Sequence, residues 1–387
     1  MPRAPILSSS ARALRESIFS RLAGRLARHG KDGVPLHLGD THRAPPPGLS
    51  LALDASHLRY GAPAGEAGLL DALANKLRAQ NRLDWVLPLH LQVTVGATHA
   101  LAAAARALLD PGDEVIVPAP HWPLITGILT NAGAVPVEVE LSQRLYADPS
   151  LDAAALLEPA LTPRTAAIYL TTPNNPDGKV LGRRHLDELA ALARAHDLWV
   201  ISDEVYEDLA YDEPHLSIAS LPGMAERTIT VFSLSKSYAL AGLRLGYAVA
   251  AEAPMRALRK IANHTVYNVP DVLQRAAGAL LTDPESAAWL DETRAEYRAA
   301  RALATSLMKA PHHLPDGATY LFVDLARHAD GKDGIWPLVE RLLDAGVSVS
   351  PGEQFGRAFA HHARLCFTAV PPDRLRLGLE RIARVLG

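Results

Sequence analysis

A single cysteine, Cys366, occurs in the 387 residues. That excludes an intrachain disulfide framework and a cysteine-based metal cluster, and it fits a reducing compartment. Lying between Leu365 and Phe367, it reads as a small buried hydrophobe. No run approaches the roughly 18 uninterrupted apolar residues that a membrane helix needs. Excess charge is equally scarce. The net charge is −3 and no block of one sign occurs, so nothing marks nucleic acid as a partner. Lysine is the rare cation, with seven against 32 arginines, so a lysine in a specialised setting is not an arbitrary choice. What is present, 48% hydrophobic and 21% charged residues, describes a soluble globular protein long enough for two domains.

One such lysine is Lys236. The apolar, β-branched stretch Ile229 to Phe232 reads as a buried strand, and it stops in Ser233-Leu234-Ser235-Lys236-Ser237 before a glycine-punctuated segment ending in Arg244. An amine at a strand end, among hydroxyls and an arginine, suits the capture of an anionic carbonyl compound as a Schiff base. The run resembles the cofactor-lysine segment of the pyridoxal-phosphate-dependent aminotransferases of fold type I, class I/II. The resemblance implies a serine three positions before the lysine and an arginine eight after it on the cofactor phosphate, here Ser233 and Arg244.

Ahead of that segment, residues 8–29 are rich in Arg and Ser with only Glu16 acidic, the composition of a mitochondrial transit peptide. Leu14, Ile18, Leu22 and Leu26 recur every four positions, which a docked amphipathic helix explains equally well. Next comes a short extended piece to Gly39 and a strap stiffened by Pro45-Pro46-Pro47. In the family this loop covers the substrate. Gly39 matches, while Asp40, His42 and Arg43 replace the usual continuation. Tyr60-Gly61-Ala62-Pro63-Ala64-Gly65 is a tight loop before a helix over Glu66–Gln80. It resembles the loop whose tyrosine reaches the phosphate in the neighbouring subunit, which implies a homodimer with Tyr60 acting in trans.

From residue 90, short apolar runs alternate with helical stretches, the pattern of a doubly wound α/β sheet. The seven expected strands are Leu91–Val95, Val115–Val117, Val135–Val139, Ala166–Leu170, Leu198–Ile201, Thr228–Phe232 and Leu245–Ala250, mostly parallel. Polar chemistry follows their ends. Gly96-Ala97-Thr98 opens a helix expected over Thr98–Leu109, whose N-terminus offers free N–H groups to an anion, with Thr98 also an ordinary N-cap. Proline-flanked His121-Trp122 places an indole at the sheet edge, either as core or, by the resemblance, stacked on the cofactor ring. Asn174-Asn175-Pro176-Asp177-Gly178 is a turn whose Asn175 matches the family's donor to the ring oxygen, with Asn174 supporting the turn. A carboxylate at a buried strand end needs a partner, and a pyridinium N–H would supply one to Asp203. Tyr206, three residues on, would donate to the ring oxygen. In the segment 261–270, His264 or Tyr267 reads as a core, interface or substrate residue.

A helical pattern over Pro284–Lys309 leads to an α+β part with strands Tyr320–Asp324, Val347–Val349 and Leu365–Thr368 and helices near 335–345 and 373–386. Arg364 matches the family arginine that clamps the substrate α-carboxylate, for which a planar guanidinium is suited. The expected division is 1–45 with the small domain, 46–285 as the large cofactor-binding domain, and 286–387 as the small domain. The resemblance implies a cytoplasmic aminotransferase that moves an amino group between an L-amino acid and a 2-oxo acid. Pyridoxal 5′-phosphate would be its cofactor, with Lys236, Asp203 and Tyr206 catalytic, and no metal, nucleic acid or membrane involved. A C–S lyase on the same fold is the alternative. A ligand-sensing regulator is remote, since about 35 residues before the motifs leave no room for a DNA-binding module. No second arginine is evident for a dicarboxylic substrate unless the loop carrying Arg43 folds inward. Asp40, His42 and His121 would instead suit a polar substrate.

Overall fold

The computed structural model describes residues 6–14, 16–329 and 334–387. Arg15, within the expected N-terminal helix, and 1–5 and 330–333, within the expected terminal domain segments, lie outside the described residues. Twelve strands occur among them: β1 (Val34–Pro35), β2 (Leu91–Val95), β3 (Glu114–Ala119), β4 (Val135–Glu140), β5 (Thr165–Thr171), β6 (Trp199–Asp203), β7 (Thr228–Ser233), β8 (Leu245–Val249), β9 (Tyr320–Asp324), β10 (Val347–Ser348), β11 (Ser350–Pro351) and β12 (His362–Cys366).

Seven strands form the central sheet in the order β2-β8-β7-β6-β5-β3-β4, with helices connecting them. Six run in one direction and β8 runs against both neighbours. The reversal has a simple cause. The link from Leu234 to Arg244 is too short for the crossover of about a dozen or more residues that a parallel return requires. Because β8 is antiparallel, its first residues lie at the edge where the parallel strands end. Register then sets Ser233 opposite Gly246 and Val95 opposite Leu245, which gathers Gly96, Ser233 and Arg244 at one place. Both faces of the sheet are packed, so its inner strands are buried along nearly their whole length, while the edge strand β4 is half-buried with exposed ends.

The remaining strands make two small sheets, antiparallel β11-β12-β9 and parallel β1-β10. Helices Trp336–Asp344 and Pro372–Leu386 cover them with their apolar faces. The helix Pro284–Leu307 serves two cores. Trp289 and Leu290 pack with the helix Ala67–Asn81 and β2, whereas Tyr297, Ala300 and Ala304 pack beside β9 and β12.

Three expectations need correcting. The N-terminal segment holds two helices, Ser9–Ala13 and Phe19–Leu26; the first lies against the helix Ile125–Asn131 with no buried residue, and only the second enters a core. Its Leu22 and Leu26 are buried while Leu14 is exposed, and Arg21 and Arg25 pair with Glu340 and Asp344. The helix expected from Thr98 begins at Gly96, because a glycine at φ +70° turns the chain straight out of β2. Thr98 therefore sits in the first turn rather than at the cap. In the C-terminal part, Val347–Val349 divides between β10 and β11, and the strand expected at Leu365–Thr368 is His362–Cys366. Arg364 lies at its centre, opposite Phe322 and Ser350.

Candidate active site

At the sheet edge where β7 ends, a cavity of about 270 Å³ opens between the central sheet and the small sheets. Lys236, Asp203, Tyr206, Ala97, Thr98, Trp122, Asn175, Ser233, Arg244, Gly39 and Arg364 all line it. Tyr60 does not. It is 88% exposed, its ring edge-on to that of Tyr267 at 5.4 Å, so within one chain it faces outward. His264 and Tyr267 are exposed as well, which excludes the core role considered for them.

Lys236 stands on the single helical turn Leu234–Ser237, and its Nζ donates to the Gly39 carbonyl at 2.5 Å. Ser233 caps that turn, its Oγ accepting from Ser235 N at 3.1 Å. Arg244 adopts left-handed backbone, which swings its guanidinium toward Gly96. A Cβ on Gly96 would come 2.5 Å from Arg244 Nη2. Among the described residues no side chain caps the helix Gly96–Leu108, which leaves its first-turn N–H groups available beside that guanidinium and Ser233.

Asp203, 4% exposed, ends β6 with its carboxylate on the cavity. It accepts from Tyr169 Oη at 2.9 Å and from Val205 N at 3.4 Å. Burial pushes its pKa up to about 6, against the hydrogen bond from Tyr169 and the charge of Lys236. Tyr206 shares a hydrogen bond of 2.6 Å with Tyr320, and burial together with that neighbour raises its pKa well above the phenolic norm. It remains a neutral hydroxyl.

Arg364 donates to Asn175 Oδ1 and to the His37 carbonyl, both at 2.8 Å, and lies over the rings of Tyr320 and Phe355 at 4.3 and 4.9 Å. Its Nε is buried with no hydrogen-bond partner among the described residues. Burial, then the charge of Arg364, lowers His37 to about 4, so this histidine is neutral beside the guanidinium. Asn174 holds the turn together through Pro120 O at 2.9 Å and Asp177 Oδ1 at 2.8 Å, as its place in the motif implied.

Other expectations do not reach the cavity. Arg43 pairs with Glu296 and stacks on Trp289 at 5.1 Å, so its loop does not fold inward. His42 bonds Glu296, Asp40 is exposed, and His121 is buried beside Glu138. Conversely Phe19, Leu38 and Tyr320 line the cavity and went unremarked in the sequence, as did Tyr169 behind it. For the two tyrosines a signal existed. Each sits in an apolar strand, where a buried hydroxyl needs a partner.

The class I and II aminotransferase family matches residues 43–382. This chain belongs to that family. The aminotransferase is 38% identical over 376 residues to an aspartate/prephenate aminotransferase of Thermus thermophilus, covering 94% of this chain and 93% of that one. An arginine–pyruvate transaminase of Pseudomonas aeruginosa is 37% identical over 92% of this chain and 90% of its own length. Among solved structures, Thermus thermophilus aspartate aminotransferase with maleate superposes with a TM-score of 0.90 at 34% identity, over 99% of this chain and 100% of the other. The fold is that of the fold-type-I enzymes, and the activity is pyridoxal-phosphate-dependent transamination.

The cavity fits that cofactor. Uncapped N–H groups with Arg244 and Ser233 offer a phosphate cradle at one end. A buried carboxylate awaits a cation at another. The lysine amine lies between elements that carry both.

Proposed function

We propose that Lys236, Asp203 and Arg364 carry the transamination, each holding one part of the cofactor–substrate pair in this cavity. When bound through its aldehyde to Lys236 Nζ, pyridoxal 5′-phosphate supplies an electron sink for the pair of electrons left when the substrate Cα loses its proton. Ser233, Arg244 and the N–H groups of Ala97 and Thr98 receive the phosphate. Trp122 would cover the ring and keep water off it. Asp203, as the anion, would pair with the ring nitrogen and hold a proton there. Tyr206 and Asn175 would donate to the ring oxygen.

Arg364 takes the α-carboxylate of the amino acid through its two-pronged guanidinium, with Gly39 closing over the ligand. That fixes Cα toward Lys236. With the cofactor bound, the amine of Lys236 would be the base that takes the proton from Cα and the acid that gives it back on the cofactor's side. The observation that carries this reading is that one cavity holds the amine of Lys236, the buried carboxylate of Asp203 and the guanidinium of Arg364. Its test is to mix the purified protein with a panel of amino acids and follow loss of the cofactor's aldehyde absorbance, then its recovery with a 2-oxo acid. Release of ammonia and pyruvate from a cysteine thioether without that cycle would refute transamination in favour of elimination.

The enzyme is a homodimer in this reading, supported by the outward Tyr60 and the exposed Leu58, Val266 and Tyr267. A division near residues 45 and 285 and a cytoplasmic setting complete it. Among the described residues no helix is long and apolar enough to cross a membrane.

A further inference from the structure

Tyr169 belongs to β5, the strand beside Asp203, and stands behind the cavity wall rather than on it. It is 1% exposed, and its hydroxyl donates to Oδ2 of Asp203 at 2.9 Å. Phenylalanine would fill this strand position as well and bring no polar atom to satisfy. The hydroxyl therefore has a meaning beyond packing, and its partner is a carboxylate, which makes the bond charge-assisted.

The neighbouring charges leave that carboxylate to Tyr169. Glu204, next in sequence, is turned away and occupied by His215 Nε2 at 2.8 Å, Ser202 Oγ at 2.8 Å and Ser217 Oγ at 2.9 Å. Lys236 is the cation whose charge favours ionised Asp203, and Val205 N approaches the other oxygen, Oδ1, at 3.4 Å. One carboxylate oxygen is thus fixed from behind by a phenol, with lone pairs left for the cavity.

We propose that Tyr169 is a positioning residue: its hydroxyl keeps Asp203 oriented and anionic, so that a cofactor ring nitrogen facing Asp203 retains its proton. A donor on one carboxylate oxygen lowers the proton affinity of the whole group, so the proton shared between Asp203 and the ring stays on nitrogen. The inference rests on the role given to Asp203 above.

The test uses holoenzyme loaded with pyridoxal 5′-phosphate carrying nitrogen-15 in its ring, whose chemical shift reports protonation directly. In the wild type the signal stands at the pyridinium position, and in D203N it moves to the neutral position. In Y169F it moves part of the way toward neutral and kcat falls about tenfold, the scale of one hydrogen bond to a charged group. Adding Y169F to D203N moves the signal no further. If Y169F leaves the signal in place while D203N shifts it, Tyr169 only packs the strand, whatever its effect on melting, and the inference is overturned while the Asp203 reading stands. If D203N itself leaves the signal unmoved, the reading of Asp203 fails and this inference with it.

Discussion

Arg364 and Asn175 meet across the cavity at 2.8 Å, guanidinium to side-chain carbonyl, joining β12 of the small sheet to the turn after β5 of the large one. The residue proposed for the substrate carboxylate and a residue proposed for the cofactor oxygen are thereby one unit. Replacing Arg364 with Lys keeps the charge but loses the planar fork, the bond to Asn175 or to His37, and the contact over Tyr320. Steady-state kinetics should show kcat/KM for the amino acid lower by roughly 10- to 100-fold, the loss of one charge-assisted hydrogen bond. Unchanged kcat/KM would remove Arg364 from the substrate site.

Two buried groups give the cofactor-free protein opposed pH dependences. Asp203 rises from its ordinary 3.8 to about 6, so the folded chain holds that proton more tightly than the unfolded one. Its contribution is stabilising in acid and is lost as pH rises from about 4 to 6, roughly 3 kcal/mol in all. His37 falls from 6.5 to about 4, so its contribution is present above 6.5 and is lost as pH drops toward 4. Asn at position 203 removes only the first. Calorimetry should find that the melting temperature of cofactor-free D203N, relative to wild type, climbs from pH 4 to pH 6 and is level above. A difference independent of pH would mean that Asp203 is not held as a strained anion.

What the sequence made legible were features that a local pattern announces. The β-branched run before Ser233, the glycine turn at Gly96 and the Asn-Asn-Pro turn each mark a strand end, and eleven of twelve expected site residues line one cavity. Arg244 shows the limit. Its offset from Lys236 pointed to the phosphate, but its approach to Gly96 depends on β8 running antiparallel, a property of strand pairing that no single segment displays. Phe19 was invisible for the same reason: it reaches the cavity from another layer, and nothing near it in the chain distinguishes it from core. Tyr320 also comes from another layer, and there its hydroxyl in an apolar strand signalled only that a buried partner was needed. The single N-terminal helix failed because a four-residue period continued on paper through Leu14, which follows the end of the first helix and rests half-exposed beside Gly127 instead of joining the core of Leu22 and Leu26.

Gly39 links the loop over the cavity to the hydroxyl pair beneath it. Its carbonyl accepts from Lys236, and a Cβ there would overlap the Tyr320 hydroxyl that bonds Tyr206. Alanine at 39 should therefore displace both tyrosines and lower kcat by about 100-fold, the order expected for a displacement near 1 Å. Removing the offending oxygen relieves the overlap, so the double variant G39A/Y320F should be faster than G39A alone. If the two losses simply multiply, the overlap is not what slows the enzyme.

Tyr60 separates a chain that is complete alone from one that needs its twin. Its ring lies on the surface, 88% exposed against Tyr267, while the cavity of its own chain is lined by other residues. Tyr60→Phe should weaken cofactor affinity about tenfold, the loss of one hydrogen bond to a phosphate oxygen. The decisive measurement is complementation. K236A homodimers are inactive, and Y60F homodimers are under-loaded at limiting cofactor. In a mixed dimer, a site with Lys236 from one chain and Tyr60 from the other is intact, whereas the opposite site carries both defects. Mixing the two variants at limiting cofactor should then restore activity above the level of either alone. No restoration, with mixed dimers verified by mass, would place Tyr60 outside the partner's site.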